Sequence, residues 1–137
     1  MASAPVYFAD ENLLGFGKLM VRAGREDFLY PGHPSLPEVP LGTADQEWMK
    51  VVARRDLIVV SRDRRIRSRP AEQMIYREYG IRSVWIGVKQ DLRPQDQVDL
   101  FMRHEAALGR MARKLGGGPW AIALGQNGPR PMAFKDL

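Results

Sequence analysis

The chain of 137 residues contains no cysteine, which excludes disulfides, thiol chemistry and Cys-based zinc sites and fits a reducing compartment. Histidine is nearly absent too. His33 and His104 are the two in the chain, and neither has a second histidine at ligand spacing beside it, so neither is expected to bind a metal or act as a base. No apolar run approaches the roughly 18 residues that a membrane span needs. The N-terminal Met-Ala-Ser-Ala-Pro lacks the basic and apolar regions of a secretory signal. The protein is therefore expected to be cytoplasmic and to make no membrane contact. Acids are in the minority, 16 against 21 Lys and Arg, for a net charge of +5, which points to a polyanion as partner.

What is present fits one globular domain over residues 1–137, with 45% hydrophobic and 27% charged residues, large enough to bury a core unaided. Two short apolar stretches stand out. Val6-Tyr-Phe-Ala-Asp10 and Leu57-Ile-Val-Val-Ser-Arg-Asp63 are apolar almost throughout and do not alternate, the pattern of strands buried on both faces of a parallel sheet. Each ends in an aspartate. Ligands of open α/β sheets lie outside the carboxyl ends of the strands, so two strands with this ending bring two carboxylates to one place.

The remaining elements follow from punctuation. Residues 13–23 form an irregular helix weakened by Gly15 and Gly17, at about 1 kcal/mol each relative to Ala. Residues 27–42, with Pro31, Pro34, Pro37 and Pro40, form a long surface loop that sustains neither helix nor central strand. Thr43 and Gln46 read as a capping box for a helix to about Arg54 or Arg55. A basic loop leads to Pro70, which opens a helix through Tyr79. Residues 81–88 form a third strand, and Pro94 opens a long helix to about Leu115. Over residues 117–137 the alternation at Trp120, Ile122 and Leu124, and a turn at Asn127-Gly128, predict a strand or hairpin. The fold class is thus α/β, a mainly parallel sheet covered by helices, with a C-terminal strand or hairpin.

Two acids compete on the helix from Thr43. At about 100° per residue, Asp45 falls within the apolar arc of Trp48, Met49 and Val52, whereas Glu47 falls opposite it. Asp45 therefore faces inward and sits over one edge of the sheet. Asp10, Asp45 and Asp63 aimed at one crevice would repel unless a cation neutralised them. Hard divalent ions such as Mg²⁺ or Mn²⁺ suit oxygen ligands, and the chemistry implied is phosphodiester hydrolysis. Arg62, Arg64, Arg65, Arg67 and Arg69 lie beside Asp63 and match phosphate oxygens, so they are the expected contacts to a nucleic-acid backbone. Trp48, Trp85 and Trp120 sit in apolar segments and are assigned to the core.

Asp10-Glu-Asn-Leu13 after the first strand, Asp45-Gln-Glu-Trp48 opening a helix, and Val59-Val-Ser-Arg-Asp63 ending the next strand resemble the PIN and PIN-like nucleases, many of which are toxins of VapBC-type toxin–antitoxin pairs. The likeness covers about residues 6–88. It implies a compact three-layer α/β/α fold, Mg²⁺ or Mn²⁺ dependence, endoribonuclease activity and inhibition by a cognate antitoxin. By position, Asp10, Asp45 and Asp63 match the metal-binding and catalytic acids, and Ser61 matches the hydroxyl residue that precedes the third acid. Glu11 and Asn12 lie beside the first acid as supporting residues. Where the family often carries a further acid, this chain has arginines. Two other readings compete: a non-catalytic module that binds RNA or a protein through its basic surface, and a receiver-type phosphoacceptor using Asp10, Glu11, Asp63 and Lys89. A homodimer is left open.

Overall fold

The computed structural model describes residues 6–62, 70–88 and 91–132. The chain enters through β1 (Tyr7–Ala9), passes a 3-10 turn (Glu11–Leu13) into α1 (Leu14–Arg22), and returns to β2 (Phe28–Leu29). Helix α2 (Asp45–Arg54) leads to β3 (Ile58–Ser61), α3 (Pro70–Glu78) to β4 (Arg82–Ile86), and α4 (Pro94–Leu115) to β5 (Trp120–Gly125), which turns back into β6 (Gly128–Met132). Across the sheet the order is β2-β1-β3-β4-β5-β6. Neighbouring strands are parallel except β5 and β6.

Successive strand residues point to opposite faces, and both faces are covered, as the unbroken apolar runs require. On one face Tyr7, Ala9, Ile58, Val60, Val84 and Ile86 pack with Phe16 and Met20 of α1 and Val98 and Phe101 of α4. On the other, Phe8, Val59 and Trp85 pack with Trp48, Met49 and Val52 of α2 and Ile75 and Tyr76 of α3. The architecture is the expected α/β/α sandwich. All three tryptophans are buried in it.

The two glycines of α1 have a packing reason. A Cβ at Gly17 would come within 2.9 Å of the Ala9 Cβ, and one at Gly15 within 2.8 Å of Pro94 Cγ. The helix thus accepts a propensity cost in order to lie directly on β1 and against the start of α4. At its far end Arg25 holds Asp27 through two hydrogen bonds of 2.9 and 2.7 Å and also donates to Glu105 of α4, fastening the α1–β2 connection to the long helix.

Three expectations need correction. Residues 27–42 are not all loop, because Phe28 and Leu29 pair with Tyr7 and Phe8 as an edge strand; two residues ahead of Pro31 are too few to register as a strand in sequence. The remainder is not a free surface loop either. Leu36 and Val39 are fully buried, and Arg55 of the α2–β3 turn donates to the Ser35 carbonyl at 3.0 Å and pairs with Glu38 at 3.1 Å, so the proline-rich segment is strapped along α2. The capping box is also absent: Ala44 is the N-cap of α2, and Thr43 Oγ1 donates to the Pro40 carbonyl at 2.6 Å. At the C-terminus the hairpin is there but its turn lies at residues 126–127 and not at Asn127-Gly128, and Gly128 opens the second strand. Pro129 and Pro131 are tolerated because β6 is an edge.

Gly118 lies so near the Gly80 turn that a Cβ there would overlap the Gly80 carbonyl oxygen, whereas one at Gly117 would meet nothing. Gly118→Ala is expected to lower the unfolding free energy by about 1–3 kcal/mol, and Gly117→Ala by less than about 0.5 kcal/mol, as read by urea denaturation.

Tyr7 stacks on Phe28 with ring centres 5.0 Å apart, and burial, followed by the charges of Glu105 and Asp27, pushes its phenol up to about 12. The folded protein therefore holds this proton where the unfolded chain, with its ordinary value near 10, has released it. Its contribution is fully present below pH 10 and is lost as pH rises toward 12. Between pH 8 and 11.5 the wild-type protein is expected to lose about 2 kcal/mol more stability than Tyr7→Phe, measured by urea unfolding at both values.

Candidate active site

Strand β1 is interior, with β2 on one side and β3 on the other. Helix α1, which follows β1, packs on one face of the sheet, and α3, which follows β3, packs on the other. The strand order reverses direction between β1 and β3, and the crevice at such a switch point, outside the carboxyl ends of the strands, is where open α/β sheets bind ligands.

Asp10 and Ser61 border that crevice. Strand pairing aligns Ala9 with Val60, so Asp10 and Ser61 stand opposite one another, on the face of Phe8 and Val59 toward α2 and α3. The Ser61 hydroxyl, fully buried, donates to Asp10 Oδ2 at 3.0 Å. The Asn12 amide donates to Asp10 Oδ1 at 3.2 Å. Asp10 is only 5% exposed, and a buried carboxylate needs such donors to offset the loss of water. A further link joins the same two strand ends: Asn12 Oδ1 accepts the Arg62 amide at 3.3 Å.

Helix α2 runs back against the strands, so its start lies over this edge. Glu11, exposed on the turn after β1, accepts the Gly42 amide at 2.7 Å and ties the approach to α2 to the Asp10 turn. Asp45, in the first turn of α2, is half-buried, and its Oδ1 accepts the Trp48 indole N–H at 3.0 Å. Glu47 is exposed and faces Lys50 at 4.0 Å. The helical arc thus separates the two acids as expected. Among the described residues no three His or acidic side chains converge closely enough to hold a metal ion, so Glu11 does not complete a set with Asp10 and Asp45.

Arg62 reaches the other way. Its Nη2 donates to the Val88 carbonyl at 3.5 Å and pairs with Asp91 Oδ1 at 3.5 Å, which places the guanidinium over the ends of β3 and β4 on the α4 side. Asp63, Arg64, Arg65, Arg67, Arg69 and Lys89 lie outside the described residues.

One acid escaped the sequence reading. Glu72 is buried in the first turn of α3, a helix whose start, like that of α2, lies at the carboxyl edge on the Asp10 face. The signal was its place two residues after the helix-opening Pro70, in the helix that follows the third acid. His33 Nδ1 accepts the Ser35 amide at 2.9 Å, and His104 Nε2 lies 3.1 Å from the Gln126 carbonyl.

No characterised protein and no solved structure matched the chain in comparison. The family model of the PIN-like domain matches residues 5–88, the span that carries β1 through β4, Asp10, Asp45, Ser61 and Asp63, and by that match the chain belongs to the PIN-like domain family.

Proposed function

We propose that the protein is a metal-dependent endoribonuclease that hydrolyses RNA phosphodiester bonds, acting in the cytoplasm as the toxin of a type II toxin–antitoxin pair and restrained by a cognate antitoxin. The observation that carries this reading is the Asp10 carboxylate, buried at the β1–β3 crevice and held by Ser61 and Asn12, in a chain of the PIN-like family.

The donors at hand are carboxylates, the ligand type that hard divalent ions prefer. Asp10, Asp45 and Asp63 are the residues that would hold Mg²⁺ or Mn²⁺, with Glu72 the nearest candidate, by element, for an additional acid. When bound, the ion supplies Lewis-acid chemistry that makes water a nucleophile near neutral pH and offsets charge on the phosphate. The chain's own residues have separate tasks. Ser61 and the Asn12 amide fix the rotation of the Asp10 carboxylate before any ligand arrives, so that its orientation is not lost to side-chain freedom. Asn12, through the Arg62 amide, fixes the backbone that leads into Asp63. Arg62, with Arg64, Arg65 and Arg67, brings positive charge to the RNA backbone, in keeping with the excess of basic over acidic residues.

Purified protein is expected to cleave single-stranded RNA with Mg²⁺ or Mn²⁺ and to lose that activity in excess EDTA. Ser61→Ala, which removes only an orienting partner, is expected to cost roughly 10–100-fold in rate or metal affinity, and Asp10→Asn or Asp63→Asn more than that. Undiminished cleavage by either Asp variant, or in EDTA, would overturn the mechanism. A protein that binds RNA but shows no carboxylate-dependent Mn²⁺ affinity would instead be the non-catalytic binding module.

A further inference from the structure

Helix α4 lies beyond the residues that the PIN-like family model matches, and its outer side changes sign along its length. Asp96 and Asp99 are exposed in its first two turns, and Arg103, Arg110, Arg113 and Lys114 are exposed toward its end. Asp99 accepts from Gln95 of the same helix at 3.0 Å, and none of these four bases forms an ion pair among the described residues. The spacing of three and four residues that marks a single helical stripe runs through Asp99, Met102, Ala106, Gly109 and Arg113. Met102 is 52% exposed, Ala106 is exposed, and the Arg113 guanidinium folds back over Gly109, with Nη1 3.4 Å from where a Cβ would sit. The stripe is also symmetric. Asp99 and Arg113 lie seven residues on either side of Ala106, and Met102 and Arg110 lie four.

We infer that this side of α4 is an interface between two copies of the chain, packed antiparallel about a two-fold axis at Ala106. In that arrangement each residue meets the one at equal distance across the axis. Asp99 of each copy faces Arg113 of the partner subunit, about 10 Å from the axis at roughly 1.5 Å per residue, and Met102 packs on the aliphatic stem of Arg110 of the partner subunit. Ala106 meets its own counterpart, with Gly109 beside it, so the two backbones approach closely. The change of sign decides between occupants. A nucleic-acid backbone laid along the stripe would gain the bases and run onto Asp96 and Asp99, whereas an antiparallel copy sets acid against base at both ends. A seam of alanine and glycine buries little apolar surface, so the pairing depends on charge and weakens as salt screens it. Because α4 starts at the carboxyl edge, the two copies hold their Asp10 crevices at opposite ends of the interface. The pairing stands whether or not that crevice cleaves RNA.

The test is sedimentation of the full chain at low salt over about a hundredfold range of protein concentration, where a dimer declares itself by mass action. Wild type is expected to show a monomer–dimer equilibrium that shifts toward monomer as NaCl is raised. Asp99→Arg and Arg113→Asp each set like charges together twice per dimer and are expected to raise the dissociation constant by at least about tenfold. The double variant that carries both changes restores acid against base and is expected to return to within about threefold of wild type. Ala106→Arg places two long cationic side chains at the axis and is expected to leave only monomer. It alters no ion pair within the chain, so it keeps the test decisive if a swapped variant folds poorly. A wild-type chain that stays monomeric at every concentration overturns the inference, as does a dimer that Ala106→Arg leaves intact, or a double swap that folds like wild type and pairs no more tightly than the single ones. Monomeric wild type whose binding of labelled single-stranded RNA weakens with Arg110→Gln and Lys114→Gln would give the face to nucleic acid instead.

Discussion

The interaction on which the rest of the site depends is the hydrogen bond from the buried Ser61 hydroxyl to the Asp10 carboxylate. It joins the ends of two adjacent parallel strands whose following helices, α1 and α3, pack on opposite faces of the sheet. A carboxylate at such a place would be destabilising if left unmatched. Here its two oxygens meet a hydroxyl and a backbone amide, and the Asn12 side chain closes the same junction from the other strand. Packing supports this arrangement from below. Gly17 lets α1 settle on Ala9, and Gly15 lets it meet Pro94, so close packing backs the turn that carries Asp10, Glu11 and Asn12, which Asp10 itself caps through the Asn12 amide.

Charge is distributed around that junction by the alternation of strand residues. Ser61 and Asp10 belong to the α2–α3 face, where the acids Asp45 and Glu72 also lie in first helical turns. Arg62, the next residue, belongs to the opposite side, with Val88 and Asp91. One strand end therefore separates a carboxylate region from a cationic one. Under the proposed nuclease reading, that separation keeps acids that would hold a cation apart from an arginine that would meet phosphate.

Much of this was legible in the sequence because the signals were local. Unbroken apolar runs at residues 6–10 and 57–61 identified interior parallel strands, Pro94 marked the start of the long helix, and the 100° arc separated Asp45 from Glu47. What escaped depended on distant contacts. The edge strand Phe28–Leu29 exists only because β1 offers it a partner. The proline-rich stretch looked like a free loop because nothing in its composition reports that Leu36 and Val39 would be buried against α2. Thr43 had the residue type of a cap, yet the Pro40 carbonyl took its hydroxyl. Glu72 was passed over because an acid in a first turn has an ordinary reading as a partner of the helix dipole, and only its burial sets it apart. Asp91 gave no signal at all until the fold placed it against Arg62.

Whether the Asp10 carboxylate holds a metal is read most directly from a crystal structure of the protein grown with Mn²⁺, with the ion located by anomalous scattering. A manganese peak is expected at the β1–β3 crevice, liganded by Asp10 and Asp63 and approached by Asp45, with no such peak in Asp10→Asn. Manganese absent from that crevice at saturating concentration, or bound only elsewhere on the surface, would contradict that role of Asp10.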